Sequence, residues 1–393
     1  MLSPEHRAIV TATVPLLETG GEALTTHFYR TLFRDYPQVL PFFNQANQHG
    51  GAQQRALANG ILAYAKNIER LDQLGPMVAT IINKHVSLQI LPEHYPLVGA
   101  ALLKAIREVL GAQLATDAVI EAWAAAYGQL AEILIGAERA IYAAQEQAAG
   151  GWNGPRSFIV QAKVAESAEI TSFVFAPLDG GDVLAHQAGQ YITVSAAIQG
   201  ETLRRQYSLS AAANGTTYRI SVKREAMGKM SNYLHDQVQV GDIVQLLPPA
   251  GAFVLADTEK PLVFISGGVG QTPTLAMLDV ALAGGREVRF IHAARDINVH
   301  AFRAHIDALA ERHSNFQRFY CYAEHDASIG RPDAVGLVDE ALLERWLPAS
   351  RDVDAYFLGP LGFMQSVKRS LRALGVPEQQ THYDFFGPAA LLD

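Results

Sequence analysis

The hydrophobic period changes twice along this 393-residue chain, and that change limits the fold more than any other feature. Up to about residue 148, apolar residues recur at helical spacing: Leu24, Phe28 and Leu32; Ile61, Ala65 and Ile68; Ala101, Ala105 and Val109. Breakers separate these stretches, at Pro37 and Pro41, Gly50-Gly51, Gly75-Pro76, and Pro92 with Pro96. The pattern predicts an all-α domain of about six to eight helices over residues 1–148. Gly150-Gly151-Trp152-Asn153-Gly154-Pro155 then reads as a linker. After it the period becomes two, in Ser157–Val164, Ile170–Phe175, Gln190–Val194 and Thr217–Val222. Short strands at that density predict an antiparallel β-barrel over residues 152–257. From Pro261 continuous apolar strands alternate with helical stretches: Leu262–Ile265, Val288–Ile291, Phe316–Tyr322 and Ala355–Leu358. That is βαβ order, and it predicts an α/β domain with a parallel sheet over residues 261–393, helices covering both faces.

Composition removes several function classes. The formal net charge is −8 and no Lys/Arg run stands out, which argues against a nucleic-acid partner. The single cysteine, Cys321, excludes a disulfide within the chain, a Cys-ligated iron–sulfur cluster and a CxxCH haem attachment. Ser3-Pro4-Glu5 reads as a helix start rather than part of a signal peptide. No stretch approaches the ~20 uninterrupted apolar residues of a membrane span. The expectation is a cytoplasmic monomer with no membrane span.

Three motifs carry chemistry in the second half. Arg205-Gln206-Tyr207-Ser208 lies on or beside a barrel strand, where alternation puts Arg205 and Tyr207 on one face. An Arg there suits a flavin diphosphate and a Tyr suits the isoalloxazine, although a solvated Arg on an ordinary strand has the same pattern. Gly228-Lys229-Met230-Ser231 opens a helix, with Ser231 expected as its N-cap; the first-turn N–H groups suit a pyrophosphate, or nothing at all. Gly267-Gly268-Val269-Gly270-Gln271-Thr272-Pro273 sits between an apolar strand and a helix, where glycine admits a nucleotide close to the backbone. In this order the motifs resemble the ferredoxin-reductase family over about residues 155–393. The resemblance implies FAD and NAD(P)H. It places Gly189-Gln190-Tyr191 at the flavin, Gly359–Met364 at a second nicotinamide-side turn, and the terminal Asp384-Phe385-Phe386-Gly387-Pro388 over the flavin.

The helical half contains five histidines: His6, His27, His49, His85 and His94. His6 and His49 have polar neighbours, His94 follows Pro92 in a loop, and His27 and His85 lie in helical stretches. Ile81, His85 and Leu88 share one helical face, so His85 is either a satisfied core histidine or an axial ligand. This half looks like a globin, and the whole chain resembles the flavohemoglobins. The residues that carry the match are Tyr29, Phe43, Gln53, Lys84-His85, Tyr95 and Glu138. By this end-to-end resemblance, Glu and Cys are usual where Asp384 and Phe385 stand; binding is expected to stand, and the flavin and haem potentials to shift.

The resemblance implies that His85 ligates the iron of haem b, backed by Tyr95 and Glu138. It implies that Tyr29, with Gln53 near it, donates a hydrogen bond to O2. Phe43 packs on the porphyrin, Leu57 crowds the distal side, and Lys84 faces the haem edge. The implied activity is dioxygenation of nitric oxide (NO) to nitrate, with electrons passing within the chain from NAD(P)H through FAD to haem. Two other readings stay open at this point: an O2 or NO sensor or store kept ferrous by its reductase, and a haemless flavin reductase serving a protein partner. NADH and NADPH are not distinguished. His292-Ala293-Ala294-Arg295-Asp296, where a 2′ substituent would be read, offers both a cation and an anion.

Overall fold

The computed structural model describes residues 2–44, 50–324, 331–387 and 392. The chain forms two compact units, one built mainly of residues 1–147 and the other carrying both sheets.

The first unit is helical: α1 (Pro4–Ala12), α2 (Val14–Asp35), α3 (Ala52–Lys66), α4 (Gly75–Leu88), α5 (Tyr95–Leu114) and α6 (Asp117–Gln147), six α-helices among the described residues. The breakers act as expected. Ser3 caps α1 by accepting from the His6 N–H, Gly51 precedes α3 at φ 68°, and Pro76 and Pro96 sit in first turns. Leu24, Phe28 and Leu32 are buried in one core with Ala65, Ala101, Ala105 and Trp123. Two positions depart from the spacing. Ile68 is buried but lies past the end of α3, and Val109 faces solvent at 37% exposure. By length and mean hydropathy (1.3 over its most apolar window) α6 would pass for a membrane span. Here its Ala122, Trp123 and Ala126 belong to the helical core, and Glu138 on the same buried stripe gives it a polar task.

In the second unit, Trp152 of the linker is buried against Phe158 and Tyr218, so the segment is anchored to the barrel it precedes. The barrel strands are β1 (Arg156–Ala165), β2 (Ile170–Pro177), β3 (Tyr191–Ile198), β4 (Glu201–Ser208), β5 (Tyr218–Lys223) and β6 (Ile243–Ala250), in the order β4-β3-β6-β1-β2-β5. The β1–β2, β1–β6, β2–β5 and β3–β6 pairings are antiparallel. A bridge from Leu209, just past β4, to Ile220 of β5 closes the sheet. Helix α7 (Lys229–Asp236) joins β5 to β6 and buries Met230 and Leu234. Strand β6 escapes a period-two reading because its second half, Leu246 to Ala250, is buried throughout and contains Pro248 and Pro249.

The second sheet is parallel. Its strands are β7 (Leu262–Gly267), β8 (Val288–Ala294), β9 (Phe316–Tyr322), β10 (Ala334–Val335), β11 (Asp354–Leu358) and β12 (Thr381–Tyr383), in the order β10-β9-β8-β7-β11-β12. Alternation divides it between two cores. Leu262, Phe264, Phe290 and Tyr356 pack with Leu275 and Leu278 of α8 (Thr272–Ala283) and Ile306 of α9 (Arg303–Arg312). Val263, Ile265, Ile291 and Phe357 pack with Leu343 of α10 (Glu340–Trp346) and Val367 of α11 (Leu361–Ala373). Both faces are covered, which is why these strands read as unbroken apolar runs.

Among the described residues, two histidines are buried in this domain. His292 Nδ1 lies 2.9 Å from Ser266 Oγ, His300 Nδ1 lies 2.7 Å from Tyr322 Oη, and the two rings are 4.5 Å apart. Burial pushes His292 down to about 3; burial, with help from His292 and from Arg303 and Arg318, pushes His300 down to about 2. Both stay neutral in the fold, whereas an unfolded histidine takes up a proton near pH ~6.5. Below that pH the unfolded chain binds more protons than the native one, so stability is intact above about 6.5 and falls as pH drops toward the folded values. Each group costs up to about 1.4 kcal/mol per pH unit over that window. Guanidinium melts of the full-length protein at pH 7, 6 and 5 are expected to show this slope, and His300→Gln to flatten it. An unchanged slope in that variant would remove His300 from the account.

Candidate functional site

His85 lies in the last turn of α4, and its apolar neighbours only half settle what it does. Its Nδ1 is 2.8 Å from Glu138 Oε1 on α6 and 3.1 Å from Tyr95 Oη at the start of α5. Tyr95 Oη donates to the same carboxylate oxygen at 2.6 Å. A carboxylate can only accept, so the Tyr95 proton goes to Glu138 and Nδ1–H donates there too. That fixes the tautomer, and Nε2 keeps its lone pair. Glu138 is 1% exposed, not a surface carboxylate beside Arg139, and burial together with the Glu138 bond drives the Tyr95 hydroxyl far above its ordinary range. Among the described residues, the other histidines of the helical unit lack this arrangement. His27 also meets a carboxylate, Glu108, but one that is 44% exposed; His94 Nδ1 accepts from the Leu91 N–H; His49 lies outside the described residues.

Tyr29, on α2, is 6% exposed inside an aromatic nest. Its ring lies 4.9 Å from Phe28, 5.8 Å from Phe33 and 5.8 Å from Phe43. Burial raises its hydroxyl well above the usual range, opposed by a side-chain hydrogen bond with Gln53 at the start of α3. Tyr29 therefore stays a neutral O–H donor. Phe43, Leu57, Ile61, Val78, Ile81 and Ile82 pack against the helical cores yet remain only half-buried. Lys84, beside His85, is exposed.

In the barrel, Arg205 and Tyr207 are half-buried on β4 and act on each other electrostatically, as expected of neighbours on one face. Gln206 and Ser208 are also half-buried. The Gln190 amide staples its own turn, accepting from Gln187 N at 2.9 Å and donating to Gly251 O at 3.2 Å, while the Tyr191 ring lies against Gly251, where a Cβ would come within 2.9 Å. The capping assignment at α7 needs correction. Gly228 occupies the N-cap and no side chain caps the helix. Ser231 stands in the first turn, its Oγ accepting from Glu225 N at 3.2 Å and donating to Gly228 O at 3.2 Å. A Cβ on residue 228 would meet that hydroxyl at 2.3 Å, so glycine is needed for the turn itself.

The Gly-rich turn after β7 also divides its labour. Gly268 has φ +55° and open space where a Cβ would stand, and Val269 is half-buried. Gly270 faces the fold instead: a Cβ there would lie 2.4 Å from the Leu358 carbonyl oxygen on β11. Gln271, Thr272 and Pro273 are buried, with Gln271 Nε2 donating to Ala301 O and Thr272 Oγ1 to Val269 O. Of this motif, Gly268 and Val269 are the less buried residues; Gln271 donates through Nε2 to Ala301 O, and its Oε1 is buried with no hydrogen-bond partner among the described residues. At the C-terminal segment Asp384, Phe385 and Gly387 are half-buried, Phe385 packs 5.8 Å from Tyr383, and Phe386 is 57% exposed; Pro388 lies outside the described residues.

Family profiles match in the same order: globin over residues 26–134, oxidoreductase FAD-binding domain over 157–255 and oxidoreductase NAD-binding domain over 264–369. A flavohemoprotein of Pseudomonas putida is 63% identical over 393 residues, the full length of both chains. The chain belongs to the flavohemoprotein family. The Pseudomonas aeruginosa flavohemoprotein is 61% identical over the same full length. Among solved structures, flavohemoglobin from Malassezia yamatoensis, with bound FAD and haem, superposes with a TM-score of 0.88 at 28% identity, over 98% of this chain and 100% of that one. The flavohem-like FAD/NAD-binding domain of nitric oxide dioxygenase from Vibrio cholerae is 39% identical over 60% of this chain, with a TM-score of 0.56.

As a flavohemoprotein the chain is an oxidoreductase that uses haem, FAD and NAD(P)H, and its residues fit them. Of the two His85 ring nitrogens, Nε2 is the one left to a metal, and the half-buried apolar residues of the helical unit leave surface for a haem to cover. The first turn of α7, without a side-chain cap, suits a diphosphate, and the Gly268 turn a dinucleotide. Sequence reasoning passed over two tyrosines that position the flavohemoprotein site. Tyr142 Oη donates to Ile90 O at 2.8 Å and Tyr127 Oη to Tyr95 O at 2.7 Å, pinning the chain just past His85 and the start of α5. The signals were present: Tyr142 stands four residues after Glu138 on one helical face, and Gly99 is small where a Cβ would sit 2.6 Å from the Tyr127 ring.

Proposed function

We propose that this flavohemoprotein is an NAD(P)H-dependent nitric oxide dioxygenase, joining NO and O2 to form nitrate. Each nitrate consumes one electron, so one NAD(P)H supports two turnovers. Bound haem supplies the iron at which the two gases react, and bound FAD divides the electron pair of a hydride into single electrons. The observation that carries the reading is the 2.8 Å bond from His85 Nδ1 to a carboxylate that is 1% exposed. A buried carboxylate draws the Nδ1 proton toward itself and makes Nε2 a stronger donor. That suits activation of O2 better than reversible carriage.

The other roles follow from the same residues. Glu138 and Tyr95 hold the His85 ring in one tautomer and orientation. Tyr29, neutral and steadied by Gln53, offers its hydroxyl proton to an oxygen that gains negative charge. Phe33 and Phe43, packed with Tyr29, keep water from competing for that proton. On the reductase side, Arg205 and the first turn of α7 bind diphosphate, Tyr207 and Tyr191 lie along the flavin, Phe386 covers it, and Gly268 admits the nucleotide. We place the protein in the cytoplasm as a monomer; a chain with the single cysteine Cys321 fits a reducing compartment.

The direct test is NO decay at an electrode, with NADH and added FAD and haem, in air and under argon. Fast decay in air with nitrate as product, and little under argon, is expected. No acceleration in air would overturn the dioxygenase reading.

A further inference from the structure

The carboxyl end of β8 resolves the mixed charges that the sequence left undecided. Arg295 follows β8 directly; its Nη2 donates to Glu169 Oε1 at 2.8 Å and its Nε reaches Asp296 Oδ2 at 3.3 Å. Glu169 comes from the turn between β1 and β2, 126 residues away in sequence. Main chain holds that turn in place, with Ala168 N donating to Asn298 O at 2.9 Å. Asp296 is fixed by accepting from Asn298 N at 2.7 Å. Glu324, exposed at the end of neighbouring β9, is tied to the same spot through its N–H, which donates to Arg295 O at 2.8 Å. One guanidinium is thus bonded to two carboxylates, those of Glu169 and Asp296.

In parallel-sheet nucleotide folds, the Gly-rich turn after the first strand takes the pyrophosphate, and the end of the next strand meets the adenosine ribose. A carboxylate there accepts from a 2′-hydroxyl, whereas an available Arg pairs with a 2′-phosphate. Here β7 with its Gly268 turn and β8 with Arg295-Asp296 occupy those two places. We propose that Glu169 and Asp296 select NADH over NADPH by occupying Arg295 and presenting carboxylate to the ribose. The proposal rests on the reading of the chain as an NAD(P)H-fed reductase. A 2′-phosphate entering this corner meets the Glu169 and Asp296 carboxylates at well under the ~8 Å screening length, and Arg295, the cation that would receive it, is already paired with both. A 2′,3′-diol finds acceptors instead. Glu169 is a positioning residue in this scheme, acting on the nucleotide through Arg295.

Titration calorimetry of NAD+ and NADP+ against the full-length protein loaded with FAD and haem tests this, with stopped-flow flavin reduction by NADH and NADPH as a second readout. The parent protein is expected to bind NAD+ at least tenfold more tightly. The Glu169→Gln, Asp296→Asn double variant is expected to narrow that ratio at least tenfold, mainly by gaining NADP+ affinity, and adding Arg295→Ala is expected to reverse the gain. Each single variant shifts the ratio less and in the same direction, which keeps the test open if the double variant fails to fold; Asp296→Asn still accepts from Asn298 N. Equal affinities in the parent, or an unchanged ratio in the variants, would overturn the proposal alone. Binding of neither dinucleotide would overturn it together with the reductase reading.

Discussion

His85→Ala is expected to abolish NO consumption in air while leaving NADH-driven reduction of an artificial flavin acceptor at the parent rate. The reasoning is geometric. Glu138 and Tyr95 commit Nδ1, so Nε2 is the nitrogen that can reach a metal, and alanine removes it while every residue of the flavin and nucleotide domains is unchanged. The absorption spectrum supplies a second readout, since haem added to the variant should lose the Soret position of a histidine-ligated globin. The helical unit should also soften. Glu138, 1% exposed, would keep only the Tyr95 hydroxyl as a donor, and a buried carboxylate short of a partner costs roughly 1–3 kcal/mol or more. A variant that retained both the spectrum and the NO decay would move the axial ligand to another residue. His27, with its exposed Glu108 partner, would be examined next.

Glu138→Gln is expected to lower NO dioxygenation by about 10–100-fold at saturating NADH, the usual cost of losing a partner behind a metal ligand. Glutamine keeps the shape but not the charge. It accepts from Nδ1–H as a neutral amide, so it holds the ring without drawing on its proton. Tyr95→Phe should cost less, because the carboxylate still reaches Nδ1 at 2.8 Å when the 3.1 Å contact is removed. The ordering separates electronic from merely positional roles. In the ferrous haem-loaded protein, the iron–histidine stretching frequency should fall in Glu138→Gln and move little in Tyr95→Phe. Equal rates in parent and Glu138→Gln would end the argument that the carboxylate matters to the chemistry.

Much of the fold was legible because periodicity reports which faces are buried. Leu24, Phe28 and Leu32 lie on one stripe of α2, and Leu262–Ile265 reads as an unbroken run because α8 and α11 cover opposite faces of β7. Where a single residue serves a local turn, the pattern misled. Ser231 has the right chemistry for a cap, yet its hydroxyl folds back under Gly228. The haem-side triad was out of reach for a different reason. His85 and Glu138 are 53 residues apart, and no local rule brings the end of α4 to the middle of α6; family resemblance named the residues, and only tertiary structure supplies the hydrogen bonds. The Glu169–Arg295 pair, drawn from two domains, had no sequence signal at all.

The close fit at Gly270 also bears on how such a chain can change over generations. With a Cβ 2.4 Å from Leu358 O at residue 270, and another 3.2 Å from Gly267 N at Gly359, the two loops at the carboxyl ends of β7 and β11 are locked to each other by the absence of side chains. Any enlargement at one must displace the other, so variation there meets a joint penalty. Arg295, Asp296 and Glu169 stand at 54%, 26% and 31% exposure, outside that lock. A lineage under pressure to draw on a different electron donor therefore has a cheap place to experiment, one strand over from a turn it cannot afford to alter.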